Sequence, residues 1–323
     1  MRLADAIERY IAHKRATGCS FGKAECRFAA FHRRVGDLEL DQLTALQVQQ
    51  YLDSSVVATA TWRNKYFLLL RFFQYWIVRE AMPELVMPPA KRRVRQTYVP
   101  YVYTRAELRA LLRATTRCQQ VRGTDISGQT FRALILFLYG TGARSGEAVA
   151  LKVGDLNLAT GIVAFPAKSF KPGRTIPLNS DLRQILQTYL RWRIRTHVAG
   201  DYLFATRVGN ALSPETVRNS FMRLCEVANL RRRDGAPHKP RLLDLRCTFA
   251  VHRITSWIKN GADLNCMLPA MAVYMGQAGS GYTEQYLLLT PERFRKQLNR
   301  LSPTHSKRHW RDDDHLMRFL TSL

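Results

Sequence analysis

Four separated stretches of the chain carry residues suited to chemistry. Thr141-Gly-Ala-Arg-Ser-Gly-Glu147 puts Arg144 just after a helix, at the start of a new turn. Lys168 stands by a β-hairpin in Ala167-Lys-Ser-Phe-Lys-Pro-Gly-Arg-Thr-Ile-Pro-Leu178. Arg246 falls in the first turn of a helix within Leu243-Asp-Leu-Arg-Cys-Thr-Phe-Ala250, and Tyr286 ends Tyr274-Met-Gly-Gln-Ala-Gly-Ser-Gly-Tyr-Thr-Glu-Gln-Tyr286. Two guanidiniums, an ammonium and a phenol suit an anionic substrate and a hydroxyl nucleophile. Taken singly, each has a plain alternative. Arg144 reads equally as a helix C-cap cation, Lys168 as one lysine of a basic hairpin, and Arg246 as a partner for Glu147 or Asp244. Tyr286 is one of thirteen tyrosines, a residue type that is mostly half-buried core. The order and spacing of all four carry the weight that no single one does.

Charge points the same way. Fifty Lys and Arg against twenty-five Asp and Glu leave +25 at pH 7, with an isoelectric point near 10.4. Such a field attracts polyanions, nucleic acid before anionic membrane. The 46% apolar and 23% charged residues of this 323-residue chain are ordinary globular usage. Arg71 and Arg79 interrupt even the apolar run Tyr66–Ile77, so no membrane span is expected. Residues 1–18 mix charged and apolar residues and do not read as a signal peptide. Six scattered cysteines form no CxxC pair, which argues against a zinc ribbon or secreted disulfide framework. The expectation is a soluble cytoplasmic protein, nucleoid-associated, with no metal and no cofactor.

The elements that must position these residues divide in two. Leu3, Ile7, Tyr10 and Ile11 recur at helical spacing, and Phe21–Val35 carries a second apolar set. Thr44-Ala-Leu-Gln47 is a capping box. From Thr59, the positions Trp62, Tyr66, Leu69, Phe73 and Trp76 mark a longer helix whose Arg63 and Lys65 lie mostly off the apolar stripe. Met82–Pro100 then holds four prolines around Lys91-Arg-Arg-Val-Arg95, a stiff basic linker. Beyond it, Thr104-Arg-Ala-Glu107 caps a helix, Thr130–Gly140 reads as a buried one, and Asp155–Phe165 with Arg174–Leu178 supply short antiparallel strands. Helices follow over Ser180–Arg195, from Ser213-Pro214, over Leu245–Asn260 with Gly261 after it, and around Leu264–Met275, Tyr282–Leu289 and Pro291–Leu301.

With these in place the chain resembles the tyrosine recombinase, or phage integrase, family over nearly its whole length. The first family box is similar to Leu138-Tyr-Gly-Thr-Gly-Ala-Arg-Ser-Gly-Glu-Ala-Val-Ala-Leu151, the second to Leu243-Asp-Leu-Arg246, and the last to Met275-Gly-Gln277 with Tyr286 nine residues on. The resemblance implies a mainly α fold: a helical, SAM-like core-binding domain at 1–82, a basic linker at 83–100, and a mixed α/β catalytic domain at 101–301, mostly helical with a small antiparallel sheet. It makes Arg144 and Arg246 the phosphate-binding arginines, Glu147 their support and Tyr286 the nucleophile. The hairpin lysine that protonates the leaving oxygen is Lys168, with Lys171 a second candidate because this loop is one residue longer than usual. Tyr282 shares a helical face with Tyr286, and helix geometry alone does not choose between them. Arg63, Lys65, Lys91, Arg92, Arg93, Arg95, Lys171 and Arg174 are the expected DNA-contacting cations.

The implied activity is site-specific DNA strand cleavage and rejoining through a 3′-phosphotyrosyl intermediate, in integration, excision or transposition of a mobile element, without metal. Duplex DNA is the expected partner, with a dimer on each site, a tetramer in synapsis, and partner recombinases. The tail at 302–323 reads as a short amphipathic helix that docks in trans. Departures from the family pattern fall in the site itself. Leu243 stands at the usual histidine, Cys247 where a second histidine is common, and Gln277 where histidine or tryptophan contacts phosphate. Leu243 can donate nothing, while Gln277 still can. His238 either folds inward to substitute or is a solvated loop residue, and His252 points away from Arg246 on its helix. These losses motivate the alternative of a catalytically weak or inactive DNA-binding accessory on the same fold. A type IB topoisomerase shares the chemistry, but the small N-terminal helical domain argues against it.

Overall fold

The computed structural model describes residues 1–19, 21–54, 59–91, 99–118, 125–167, 172–232, 235–236, 238–277 and 285–290. Two compact units divide it, Met1–Thr97 and Tyr98–Ala167 with Gly173–Leu323.

The first unit is helical: α1 (Leu3–Ala16), α2 (Gly22–Val35), α3 (Ala45–Leu52) and α4 (Thr59–Ile77). Each buries the stripe its periodicity marks, so Leu3, Ile7, Tyr10 and Ile11 of α1 meet Phe28 and Phe31 of α2 and Leu69, Phe72 and Phe73 of α4 in one core. Tyr10 is its aromatic centre, edge-on to Phe28, Phe72 and Tyr75 at 5.0–5.8 Å. The Thr44 box closes as expected, its hydroxyl accepting from the Gln47 amide while the Gln47 side chain accepts from the Thr44 N–H at 2.9 Å. Met82 is buried in this core and Val86 and Met87 pack on it, because the start of the proline segment carries apolar side chains that gain more from burial than from a free tether.

The second unit holds α5 (Arg105–Cys118), α6 (Gly128–Thr141), the one-turn α7 (Ser145–Ala148), strands β1 (Leu156–Asn157), β2 (Ile162–Phe165) and β3 (Arg174–Pro177), then α8 (Ser180–Arg195), α9 (Pro214–Val227), α10 (Asp244–Lys259) and α11 (Leu264–Met275). The strands form one antiparallel sheet in the order β1-β2-β3, with Val163 opposite Ile176 and Phe165 opposite Arg174. Val163, Phe165 and Ile176 face a core built on Phe131, Leu134 and Phe137 of the apolar helix α6. A second cluster, Phe249, Ile254, Leu264, Met275 and Tyr286, lies beneath the site. Caps fix the helix starts: Asn179, Ser213 and Thr104 each accept from a backbone amide of the first turn. Among the described residues no helix is long and apolar enough to cross a membrane.

Arg193, near the end of α8, is only 5% exposed and has no acidic partner among the described residues. Its guanidinium instead donates to the carbonyls of Tyr202, Leu203, Val198, Ala199 and Gly200, fastening the loop after α8 to the helix end. Arg193→Ala leaves the buried Leu203 carbonyl to the Tyr189 hydroxyl alone and hands four half-buried or exposed loop carbonyls to water. We expect a loss of about 1–3 kcal/mol in urea unfolding; a variant within experimental error of wild type would show that water replaces the guanidinium without penalty.

Candidate active site

Helix α6 stops because Gly142 adopts a left-handed conformation (φ 62°), its N–H returning to the Leu138 carbonyl at 2.9 Å. A Cβ there would lie 2.5 Å from the Phe249 ring of α10, so glycine is needed for space as well as for conformation. That close approach lets the Gly142 carbonyl accept from Nη1 of Arg246 at 2.6 Å. The chain then turns through Ala143 to Arg144, which opens α7.

Glu147 organises the next layer. Its Oε2 accepts from the Arg144 N–H at 3.1 Å and its Oε1 from Arg144 Nη1 at 3.0 Å. Arg174, from β3, donates Nη2 to Oε2 at 2.9 Å. Burial pushes the Glu147 carboxyl up, but Arg174 and then Arg144 more than offset it and hold it below the usual carboxylate range. Arg144 Nη1 also donates to the Gly276 carbonyl at 3.2 Å, and more than a third of its side chain remains open to solvent.

Arg246 occupies the first turn of α10 at 6% exposure. Its Nη2 is buried without a hydrogen-bond acceptor among the described residues. Burial lowers its pKa, with Arg144 adding like-charge repulsion and the Tyr286 phenol opposing. Tyr286 is 9% exposed, and its hydroxyl accepts from Nε2 of Gln277 at 3.2 Å. Burial raises the phenol's pKa, while Arg246 and Arg144 pull it down and the Cys247 thiol pushes it up. The structure thus brings Arg144, Glu147, Arg246, Gln277 and Tyr286 together.

Leu243 precedes α10, one turn before Arg246, and is half exposed. Cys247 packs among apolar neighbours and its thiol is pushed up to about 11 by burial, so it carries no thiolate at neutral pH. His238 is exposed. His252 faces Tyr139 of α6, its Nδ1 3.0 Å from the phenol oxygen. Lys168, Lys171, Tyr282, Arg92, Arg93 and Arg95 lie outside the described residues, as do 291–323. In the first unit, Lys91 is ion-paired to Asp53 at 2.6 Å over the Trp62 ring, Arg63 donates to the Lys91 carbonyl over Phe67, and Lys65 covers Tyr51.

Arg174 departs from expectation. Instead of reaching outward to DNA, its guanidinium turns inward onto Glu147, with Nε donating to the Tyr274 carbonyl at 3.1 Å and its plane over Phe165 at 4.2 Å. The reason lies in strand alternation: Arg174 shares a face with Ile176, which is fully buried. That signal was present in the sequence. The part taken by the Gly142 and Gly276 carbonyls had no sequence signal beyond two glycines.

The pattern of the phage integrase family matches residues 102–293, more than half of the chain and all of this site. The chain belongs to the phage integrase family. It is a tyrosine recombinase, an enzyme that breaks and rejoins DNA. Among similar proteins, y4rE of Sinorhizobium fredii, named for an integrase/recombinase, is 30% identical over 88% of this chain and 91% of its own. The tyrosine recombinase XerD of Ralstonia nicotianae is 29% identical over 79% of this chain and 78% of its own. The fold of this recombinase is also that of a lambda integrase dimer bound to a core site (TM-score 0.62, 18% identity, 87% of this chain and 96% of that one). The integrase of transposon Tn1549 with transposon right end DNA matches at TM-score 0.64 and 17% identity, over 93% of this chain and 99% of that one.

Proposed function

We propose that this recombinase cuts one strand of duplex DNA at a specific site with the Tyr286 hydroxyl and holds the product as a 3′-phosphotyrosyl bond. The observation that carries the reading is Nη2 of Arg246, a buried cationic donor without an acceptor among the described residues, beside the Tyr286 phenol and Arg144. A scissile phosphate oxygen satisfies it. In the step, the Tyr286 Oη–P bond forms, the P–O5′ bond breaks, the phenol proton leaves to solvent or a base, and an ammonium proton passes to the 5′ oxygen. Arg144 and Arg246 fork onto the non-bridging oxygens as charge grows on five-coordinate phosphorus, and Gln277 keeps a donor on the nucleophile. The hairpin lysine, Lys168 or Lys171, is the proton donor. A second 5′-hydroxyl attacking the phosphotyrosine reverses the step and rejoins the strands.

Residues 1–82 serve as a core-binding domain and the basic 83–100 segment tracks phosphates, consistent with the +25 charge. We assign the enzyme to integration, excision or transposition of a mobile element, acting inside the cell at the nucleoid, as a dimer on each site and a tetramer in synapsis, with the 302–323 tail docking in trans and partner recombinases joining the set. Support comes from solved relatives of the fold described as a dimer on a core site, a tetramer on a Holliday junction and an integrase on transposon right end DNA.

One observation favours the accessory reading: half-exposed Leu243 offers hydrocarbon where a donor is wanted. Single-turnover trapping on a suicide duplex made from the sequence flanking the gene separates the two. Wild type is expected to form the adduct, and Leu243→His to form it faster, by less than the hundred- to thousandfold or so that one well-placed donor is worth. No adduct from either protein, with a partner recombinase present, would establish the accessory role.

A further inference from the structure

We propose that Arg174 is a positioning residue of the cleavage reaction, setting Arg144 through Glu147 and fixing the turn that carries Gln277. This rests on the cleavage reading and adds a residue to it. Three contacts on three different elements converge on one guanidinium. Nη2 holds the Glu147 carboxylate, whose other bonds among the described residues go to Arg144. Nε holds the Tyr274 carbonyl in the last turn of α11. Phe165, directly opposite Arg174 in the sheet, supports the plane from below at 4.2 Å.

The fit at Gly276 closes the argument. This residue ends α11 in a left-handed conformation (φ 65°), and a Cβ there would lie 2.7–3.0 Å from Nη1, Cζ and Nε of Arg174. Its carbonyl accepts from Arg144, and the next residue, Gln277, donates to the Tyr286 hydroxyl. Arg174 therefore packs against the same short turn that touches both Arg144 and the nucleophile's donor. With its side chain 16% exposed and two donors spent on protein, it is not built as a phosphate contact. Lysine cannot take its place: one ammonium does not reach a carboxylate and a carbonyl at fixed fork spacing while lying flat on a ring.

The charged groups packed round Glu147 are Arg144 on its own turn, Arg174 from β3 and Arg246 from α10, all of them guanidiniums. The nearby Tyr274 phenol of α11 is pushed up by burial and stays neutral. Removing Arg174 therefore lets the Glu147 carboxyl rise, and a protonated Glu147 loses part of its hold on Arg144.

The test uses the full chain on the suicide duplex at saturating DNA. Arg174→Lys is expected to bind with the wild-type affinity and salt slope yet cleave about a hundredfold more slowly, the scale of a misplaced catalytic group. In Arg174→Met the acidic limb of the pH–rate profile moves to higher pH, and adding Glu147→Gln to it costs less than Glu147→Gln costs alone. A fold defect that merely lowers the amount of active protein moves neither the limb nor the coupling. Glu147 titration followed by carboxyl NMR shifts to higher pH in Arg174→Met whether or not the chain cleaves, which separates failure here from failure of the cleavage reading. Wild-type cleavage by Arg174→Lys, an unmoved Glu147 titration, or a loss confined to affinity and salt slope overturns the proposal.

Discussion

Tyr286→Phe is expected to yield no denaturation-resistant protein–DNA adduct while binding duplex as tightly as the wild type. The substitution deletes one oxygen and leaves the ring in the cluster with Phe249, Leu264 and Met275, where it is packed almost without exposure. It removes the 3.2 Å bond from Gln277, which can turn to water, and the phenol's interaction with Arg246. No other described group near Arg246 can replace the hydroxyl: the Cys247 thiol, pushed up to about 11, is protonated at neutral pH. Denaturing gels of wild type, Tyr286→Phe and Tyr282→Phe on one suicide substrate decide the matter. An adduct of normal yield from Tyr286→Phe and none from Tyr282→Phe would move the nucleophile to the earlier tyrosine.

Arg246→Lys is expected to slow single-turnover cleavage by about a hundred- to a thousandfold, the worth of one well-aimed donor to a developing oxyanion. Arg246 uses Nη1 to hold the Gly142 carbonyl at 2.6 Å, and its buried Nη2, with no acceptor among the described residues, is the donor proposed to meet the phosphate. An ammonium has no fixed fork and serves one task at the expense of the other. It is also buried beside Arg144, where desolvation and like charge both favour losing the proton. The defect should therefore ease as pH falls, because a lower pH restores the ammonium. A cleavage rate equal to wild type at neutral pH would show that charge alone, without the fork, suffices.

Local chemistry made the framework legible. Helix α8 runs over the residues its caps enclose, Asn179 before and Thr196 after, and the Thr44, Thr104 and Ser213 starts follow from single side chains bonding a first-turn amide. The expected three-strand sheet is present, with its register set by Val163 and Ile176 facing the core. What local chemistry could not give was the joining of Arg144 to Arg246. That depends on how α10 packs on α6, and helix packing leaves no mark on the spacing within either helix. Family order supplied it. Arg174 failed for the opposite reason: its positive charge suggested DNA, whereas its strand register pointed it inward, and register was the stronger signal. At Leu243 the sequence departs from the family pattern, and the structure leaves that position half exposed beside the buried Arg246.

The carbonyl of Gly142 ties together residues 104 positions apart in the chain, at a place where no side chain fits. To an engineer this seam is the fixed point of the second unit: any side chain at 142 meets the Phe249 ring and forces the end of α6 away from the start of α10. The first unit, by contrast, keeps a separate core of its own. For anyone grafting this catalytic unit onto a foreign DNA-reading domain, crossover points belong near residues 97–98, and the Gly142–Phe249 junction must be carried over whole.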